Sequence, residues 1–327
     1  MKSCQSCGSP LTINEKSSEV LPPGTKLDNG LYTVEKKLGQ GGFGITYLCK
    51  EERLDRFVVL KELFPEGCHR QGSTVITSRR WKAEIYNNFK EKFLKEGQTL
   101  ARFKHPGIVR VFSYFKENNT AYIVMEYLQG KTLEGLLEER GQPLQQREAI
   151  SYIEKVCNAL EVVHQASFLH RDLKPDNIMI TENGQVILID FGSARQFIPQ
   201  QTQKFTTILT QGYAPPEQYQ TQAKFGSFTD IYALGATLYH LLTGKIPVSA
   251  PDRNVGVELK SVKELNPTVR ACVDKAVIKA MALKEQERVQ SVKDFLNLLY
   301  GRKPDIEGKK TPFYQVYPNP WDAFNSQ

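Results

Sequence analysis

The string His170-Arg171-Asp172-Leu173-Lys174-Pro175-Asp176-Asn177 sets a carboxylate, an amine and an amide within eight residues, at a spacing that suits one reaction. Asp172 can accept the proton of an incoming hydroxyl, Lys174 can neutralise a phosphoryl group in transit, and Asn177 can offer oxygen to a metal ion. Thirteen residues after Asn177 stands Asp190-Phe191-Gly192, directly behind the apolar run 186–189. A carboxylate at a strand end is placed to hold Mg2+ (or Mn2+), a hard cation that takes oxygen ligands and keeps substrate phosphates in its shell. Either motif alone could arise by chance. The two together, in this order, have almost no bland explanation.

A second phosphate-directed feature lies near the start of the chain. In Gly39-Gln40-Gly41-Gly42-Phe43-Gly44 the glycines let backbone N–H groups approach phosphate oxygens with no Cβ in the way. Such a motif is weak alone, and its setting matters more than its letters. A dinucleotide fold would run from it into a helix. Here Ile45-Thr46-Tyr47-Leu48 continues as a strand, which favours a lid over phosphates. Lys61 closes the apolar run 57–60, and a lysine buried there needs an anionic partner. Glu96, on the helix expected next, is the candidate, against the plainer reading of a solvated charged face.

These residues need a scaffold, and the patterning supplies one. Strands are expected at 31–38, 45–49, 57–61, 109–115 and 121–125, with the last two joined at Glu117-Asn118-Asn119. Between them, 66–78 reads as a polar loop and 89–103 as a helix. Beyond Gly130 the character turns helical, with a long apolar stripe from Ala149 to Val163 and further helices at 231–242, 269–282 and 294–299, the last with a cap at Ser291. Short strands at 178–180 and 186–189 flank the turn Glu182-Asn183-Gly184. The layout is a small strand-rich half followed by a larger helical half.

With its motifs in this order, the chain resembles the eukaryotic-like serine/threonine protein kinases from about residue 31 to 300. Pro215-Pro216-Glu217 stands where that family has Ala-Pro-Glu, Asp230 resembles the aspartate that braces the catalytic-loop backbone, and Arg288 resembles the arginine that pairs with Glu217. The phrases Gly42-Phe43-Gly44-Ile45-Thr46-Tyr47-Leu48 and Pro216-Glu217-Gln218-Tyr219 are similar to bacterial, especially cyanobacterial, members. The resemblance implies an α+β, bilobal fold: a small antiparallel-sheet N-lobe with one regulatory helix, and a larger, mainly helical C-lobe. It implies ATP-dependent phosphorylation of protein serine or threonine, with autophosphorylation, in signal transduction. Asp172, Lys174, Lys61 and Glu96 would be catalytic, and Asn177 and Asp190 the Mg2+ ligands. ATP would be bound by the 39–44 loop, Lys61, Met125 at the back of the adenine pocket, the hinge Glu126 to Leu128, and Val59 with Met179 around the base. Thr46 stands where valine usually covers adenine, and Leu209 where glycine often precedes the threonine.

Serine/threonine rather than tyrosine specificity rests on Lys174, and Thr210 fits the threonine that contacts the catalytic loop. Arg171 beside Asp172 marks the class switched on by activation-segment phosphorylation, for which Thr206 and Thr207, then Thr202, are the candidates. A scaffold that binds ATP without turnover and a small-molecule kinase are the competing readings. The platform of Glu217, Asp230 and Arg288 argues for a polypeptide substrate.

Composition excludes several other classes. Net charge is +7 without a long basic run, so no nucleic acid is expected as partner. No segment has the roughly 18 consecutive apolar residues of a membrane span, the first ten residues lack a signal-peptide core, and a cytoplasmic location is the expectation. Six cysteines are too sparse for a disulfide scaffold. The expected plan is a leader at 1–30, a kinase domain at 31–300 (N-lobe 31–126, C-lobe 129–300) and a tail at 301–327 serving as linker or docking segment. The 35 positions from Lys61 to Glu96 leave an insert at about 64–88, read as an extra helix or docking element. In the leader, Cys4 and Cys7 could be half of a zinc site completed by Cys68 and His69, a redox pair, or inert. Protein substrates and a transient homodimer for autophosphorylation in trans complete the expected partners.

Overall fold

In the computed structural model, which describes residues 19–78, 81–191, 211–220, 223–302 and 314–316, the chain divides into two units. The first comprises Met1–Ala101 with Val111–Tyr127, and the second Arg102–Arg110 with Leu128–Gln327.

The first unit is built on an antiparallel sheet. Its strands are β1 (Lys26–Leu27), β2 (Tyr32–Gly41), β3 (Gly44–Glu51), β4 (Arg56–Leu63), β7 (Val111–Glu117) and β8 (Thr120–Glu126), in spatial order β1-β2-β3-β4-β8-β7. Period-two alternation decides what each strand buries. On β4, Val58, Leu60 and Glu62 point into the core, whereas Val59 and Lys61 share the half-buried opposite face. The β7–β8 connection turns at Asn118 and Asn119, both at positive φ (53° and 57°), which suits a tight hairpin between right-twisted strands. Across the sheet, helix α1 (Ala83–Leu100) lays Tyr86, Phe89, Phe93, Leu94, Gly97 and Leu100 inward against β7 and β8.

The insert differs from its sequence reading. Residues 66–78 hold a small hairpin, β5 (His69–Gln71) with β6 (Thr74–Ile76), rather than a loop, and α1 begins at Ala83 rather than 89. Three-residue strands are too short to show a period, so nothing local announced them. The hairpin is not an isolated excursion: Val75 is fully buried, its N–H donates to Asn118 O (2.8 Å), and its carbonyl accepts from Asn119 Nδ2 (2.9 Å).

In the second unit, β9 (Gly130–Thr132), β10 (Ile178–Thr181) and β11 (Val186–Leu188) form a three-stranded sheet beside helices α2 (Leu133–Arg140) and α3 (Gln146–Gln165). After β12 (Lys224–Gly226) runs helix α4 (Ser227–Thr243), buried on all sides from Phe228 onward and closed by Gly244 in the left-handed conformation. A helix apolar all round belongs at the centre of a helical body, and α3, α7 (Ala271–Ala280) and α8 (Val292–Leu299) pack against it. Short helices α5 (Ala250–Asn254) and α6 (Val262–Leu265) lie between α4 and α7 in the chain. Ser291 caps α8 through its hydroxyl, which accepts from Asp294 N (3.0 Å). In the tail, β13 (Tyr314–Val316) pairs antiparallel with β12. Among the described residues no helix is long and apolar enough to cross a membrane.

Candidate active site

The expected functional residues fall on both units. In the first, the β2–β3 hairpin carries the glycine-rich loop, with Gly39 opposite Thr46, Gln40 opposite Ile45 and Gly41 opposite Gly44, leaving Gly42-Phe43 at the tip. The glycines have different reasons to be glycine. A Cβ at Gly44 would sit 2.4 Å from the Glu62 carbonyl oxygen, so the sheet itself forbids a side chain there. A Cβ at Gly39 or Gly41 would meet no atom of the described residues within 4 Å, and neither has positive φ. Among the described residues, their lack of a side chain answers no need of packing or conformation. It leaves the backbone approachable, which fits a loop that covers phosphates.

Thr46, Val59 and Lys61 line up by register. Thr46 pairs with Lys61 across β3–β4, Val59 with Met125 across β4–β8, and Lys61 with Ile123. Thr46, Val59 and Lys61 are half-buried, while Met125 is buried and Glu126 ends β8 exposed. Glu96 is 4% exposed on the inward face of α1. A Cβ at the next residue, Gly97, would lie 3.0 Å from Ile123 Cγ1, so this helix turn rests on the strand residue that neighbours Lys61.

The second unit carries Leu128 and Met179, the latter on β10 paired with Thr132 and Ile187, together with the loop at 170–177. Asp230 organises that loop. Its carboxylate, fully buried on α4, accepts from His170 N (2.9 Å) and Arg171 N (2.7 Å) and is bonded to His164 Nε2 at 2.8 Å. Burial opposes a charge on Asp230, but the hydrogen bond and charge of His164, with His170 and the Arg171 amide, hold its carboxyl below the usual range. Burial pushes the His170 imidazole down, against the pull of Asp230 and Asp172.

This bracing supports an unfavourable backbone. Arg171 (φ 65°) and Asp190 (φ 53°) both adopt the left-handed conformation, which costs a non-glycine residue about 1–3 kcal/mol and persists only where surroundings over-determine it. For Arg171 the surroundings are the Asp230 carboxylate and Gln218, whose Nε2 donates to Arg171 O (2.8 Å). For Asp190 they are neighbours held on both sides: Ile189 donates its N–H to Asn177 O (3.0 Å), His170 Nε2 meets Ile189 O (3.1 Å), and the Phe191 ring packs 4.4 Å from the His170 ring. Asn177 Nδ2 donates to both Asp172 O (2.7 Å) and Asp172 Oδ2 (2.9 Å), which orients the carboxylate and leaves the Asn177 amide oxygen as the hard donor suited to a divalent cation. Lys174 stands 3.6 Å from Asp176.

Glu217 and Arg288 form a buried bidentate pair at 2.6 and 2.8 Å, and Thr229 Oγ1 also donates to Glu217 (3.0 Å). The remaining Arg288 donors reach the carbonyls of Ala282, Leu283 and Phe228. His164, Gln218 and Phe225, whose ring lies 4.8 Å from the Arg171 guanidinium, escaped sequence reasoning. Each acts through a contact distant in sequence.

Thr202, Thr206, Thr207 and Thr210, like Cys4 and Cys7, lie outside the described residues. Of the zinc set considered with Cys4 and Cys7, only Cys68 and His69 lie among the described residues. Cys68 is buried, its thiol pushed up to about 12 by desolvation, while the adjacent His69 side chain is exposed. Among the described residues no cluster of three or more His, Cys, Asp or Glu could hold a metal.

The comparisons with known proteins agree with this geometry. The protein kinase domain family matches residues 32–305. Serine/threonine-protein kinase PrkC of Bacillus subtilis is 33% identical over 276 residues, covering 81% of this chain and 39% of PrkC. Serine/threonine-protein kinase PknA of Mycobacterium tuberculosis is 30% identical over 300 residues, covering 87% of this chain and 65% of PknA. Among solved structures, PpkA-294 in its apo form superposes with TM-score 0.73 at 32% identity, covering 86% of this chain and all (100%) of that one. The PknI kinase domain of M. tuberculosis gives TM-score 0.66 at 25% identity, over 86% of this chain and 99% of that one. The chain thus spans under half the length of PrkC and about two thirds of PknA. It belongs to the protein kinase domain family, with bacterial serine/threonine-protein kinases among its relatives.

Proposed function

We propose that this protein is an active enzyme that transfers the γ-phosphoryl group of ATP to serine and threonine hydroxyls of protein substrates. The observation that carries the reading is the loop at 170–177, where the buried Asp230 carboxylate fixes the backbone and the Asn177 amide orients Asp172. Positioning and charge neutralisation are most of what phosphoryl transfer asks of a protein. ATP bound with Mg2+ would supply the transferable group and part of its charge compensation. The residues present suit that pair: open backbone at Gly39 and Gly41, a lysine on β4, and hard oxygen donors at Asn177 and Asp190. Asp172 accepts the proton of the attacking hydroxyl, and Lys174 neutralises the phosphoryl group as it moves. Lys61, supported by Glu96, steadies the phosphates, while Thr46, Val59, Met125, Met179 and the segment from Glu126 to Leu128 surround adenine.

Incubation with labelled ATP and a generic protein substrate tests this directly. Asp172→Asn should lower transfer by about 10²–10⁴-fold with the fold intact, and the product should be phosphoserine or phosphothreonine. Transfer untouched by Asp172→Asn, or phosphotyrosine alone, overturns the reading.

Autophosphorylation at Thr206, Thr207 or Thr202, in trans within a transient homodimer, belongs to the same proposal. Intact-mass and peptide mapping of an inactive variant mixed with wild type should locate phosphate there on the inactive chain. Zinc at Cys4 and Cys7 is a separate proposal; a metal content unchanged by Cys4→Ser removes it.

A further inference from the structure

The stretch between Lys61 and Glu96 is tied into the ATP-facing strands by a network that the proposed chemistry does not use. Glu62, the residue after Lys61, is 0% exposed and points away from it into the core. Its carboxylate accepts four hydrogen bonds: Arg70 Nη2 (2.7 Å) and Tyr47 Oη (3.0 Å) on one oxygen, Arg70 Nη1 (3.1 Å) and Tyr122 Oη (3.0 Å) on the other. Arg70 comes from β5 of the insert and is itself buried. Its other donors reach Ser73 O (2.8 Å), within its own hairpin, and Glu19 O (2.9 Å), in the leader. Burying an ion pair is costly unless its polar atoms are met, and here each guanidinium nitrogen and both carboxylate oxygens have partners.

Three further hydrogen bonds run from the leader and the insert to the glycine-rich loop. The Glu19 carboxylate accepts from Gln40 Nε2 at 2.9 Å. Phe64 N donates to Phe43 O (2.9 Å) and Glu66 N to Gly42 O (3.1 Å), so the first residues of the insert hold the loop tip by its carbonyls. On its far side the insert reaches α1: Trp81 Nε1 donates to Glu66 O (3.1 Å), and the Trp81 ring meets Phe89 edge-on at 5.2 Å. Phe89 lies two helical turns before Glu96, on the same inward face.

We infer that the insert is a brace built into the nucleotide-binding face, and that Arg70 is a positioning residue for ATP. It holds the Lys61 strand through Glu62 and the glycine-rich loop through Glu19. This rests on the function proposed above for Lys61 and the loop. Arg70 touches no reacting atom, so its effect belongs in nucleotide affinity rather than in the chemical step.

The test uses the full chain and two independent readouts: the dissociation constant of a fluorescent ATP analogue, and KM for ATP against kcat. Arg70→Met should weaken the analogue and raise KM by about tenfold, a small part of what misplacing a binding group can cost, while kcat of the folded protein changes little. Because a lone buried Glu62 could unfold the protein, Glu62→Gln with Arg70→Met serves as the second variant: it should recover the melting temperature and keep the weakened affinity. Glu19→Ala, which removes only the exposed link to Gln40, should weaken binding by about two- to fivefold. Arg70→Lys keeps the charge but loses the fork and should fall between wild type and Arg70→Met. A lower melting temperature with unchanged affinity in these variants would mean the network is structural only, and overturns the inference. Absence of phosphoryl transfer by the wild type strikes the proposed function instead, while the binding constants still decide the brace.

Discussion

At Gly44 an added Cβ would press on the Glu62 carbonyl at 2.4 Å, whereas Gly39 and Gly41 look onto open space. Gly44→Ala should therefore cost about 1–3 kcal/mol of stability, the usual price of overpacking against backbone, measured as a lower denaturant midpoint. Gly41→Ala should leave the midpoint nearly unchanged and raise KM for ATP; an unaltered KM would show that the open space is not the nucleotide's. The buried histidines make a second residue-scale prediction. Burial lowers the pKa of His170, which faces Asp230, Asp172 and Asp190, and of His240, which meets Tyr213 Oη at 2.6 Å, Glu134 at 3.6 Å and the field of Asp176. A base with a depressed folded pKa binds fewer protons folded than unfolded, so its contribution is complete above the unfolded value of about 6.5 and is lost as pH falls below it. The melting temperature should drop between pH 7.5 and 5, with a shallower slope in His240→Gln. A flat profile in both proteins removes the argument. The roles proposed for Asp172, Lys174, Asn177 and Asp190 could be read from the sequence because they stand in short local strings. That of His164 could not, since its partner Asp230 lies 66 positions away.

Elements are held in place by buried pairs that span long loops. Glu217 and Arg288 are 71 residues apart, nearly or fully buried, and every nitrogen of the guanidinium has an acceptor. Arg288→Ala should cost about 3–5 kcal/mol, because it leaves the Glu217 charge buried without its partner. Chemical denaturation should report it as a loss of global stability, and a loss well under 1 kcal/mol would refute the pair's structural role. Helix α1 offers a sharper separation of fold from site. A Cβ at Gly97 would need Ile123 to give way by a few tenths of an ångström, and Ile123 pairs with Lys61. Gly97→Ala should reduce kcat/KM more than it reduces the melting temperature. Helix α3 was legible from its long apolar stripe, α4 from its helical pattern at 231–242, and the β7–β8 hairpin from Asn118-Asn119. The β5–β6 hairpin and β13 were not, because strands of three residues carry no period. The hairpin's stability comes from Asn118, Asn119 and Glu62, all outside it.

Across the whole molecule, the residues of the proposed reaction are divided between two units: Gly39, Gly41, Lys61 and Glu96 in one, Asp172, Asn177 and Asp190 in the other. A nucleotide bound by the native chain should stabilise it by mass action, by about 2.7 kcal/mol at a hundredfold excess over its dissociation constant. The melting temperature should rise with Mg-ATP concentration, and Asp190→Asn should remove the magnesium-dependent part of that rise. No rise with any nucleotide would contradict the nucleotide site. The sequence by itself determined the family and supplied the proposed chemistry, because Asp172, Lys174, Asn177 and Asp190 stand in motifs of short, fixed separation. It also determined the order of strands and helices wherever an element was long enough to show its period. The family resemblance also implied Asp230 under the loop at 170–177 and Arg288 paired with Glu217. Tertiary structure alone decided the rest of what holds those groups still: His164 on Asp230, Gln218 on the Arg171 carbonyl, and Arg70 of the insert joined to Glu62 and Glu19. The physical reason is burial. A carboxylate removed from water must find its donors wherever the folded chain brings them, and no spacing in the sequence records that distance.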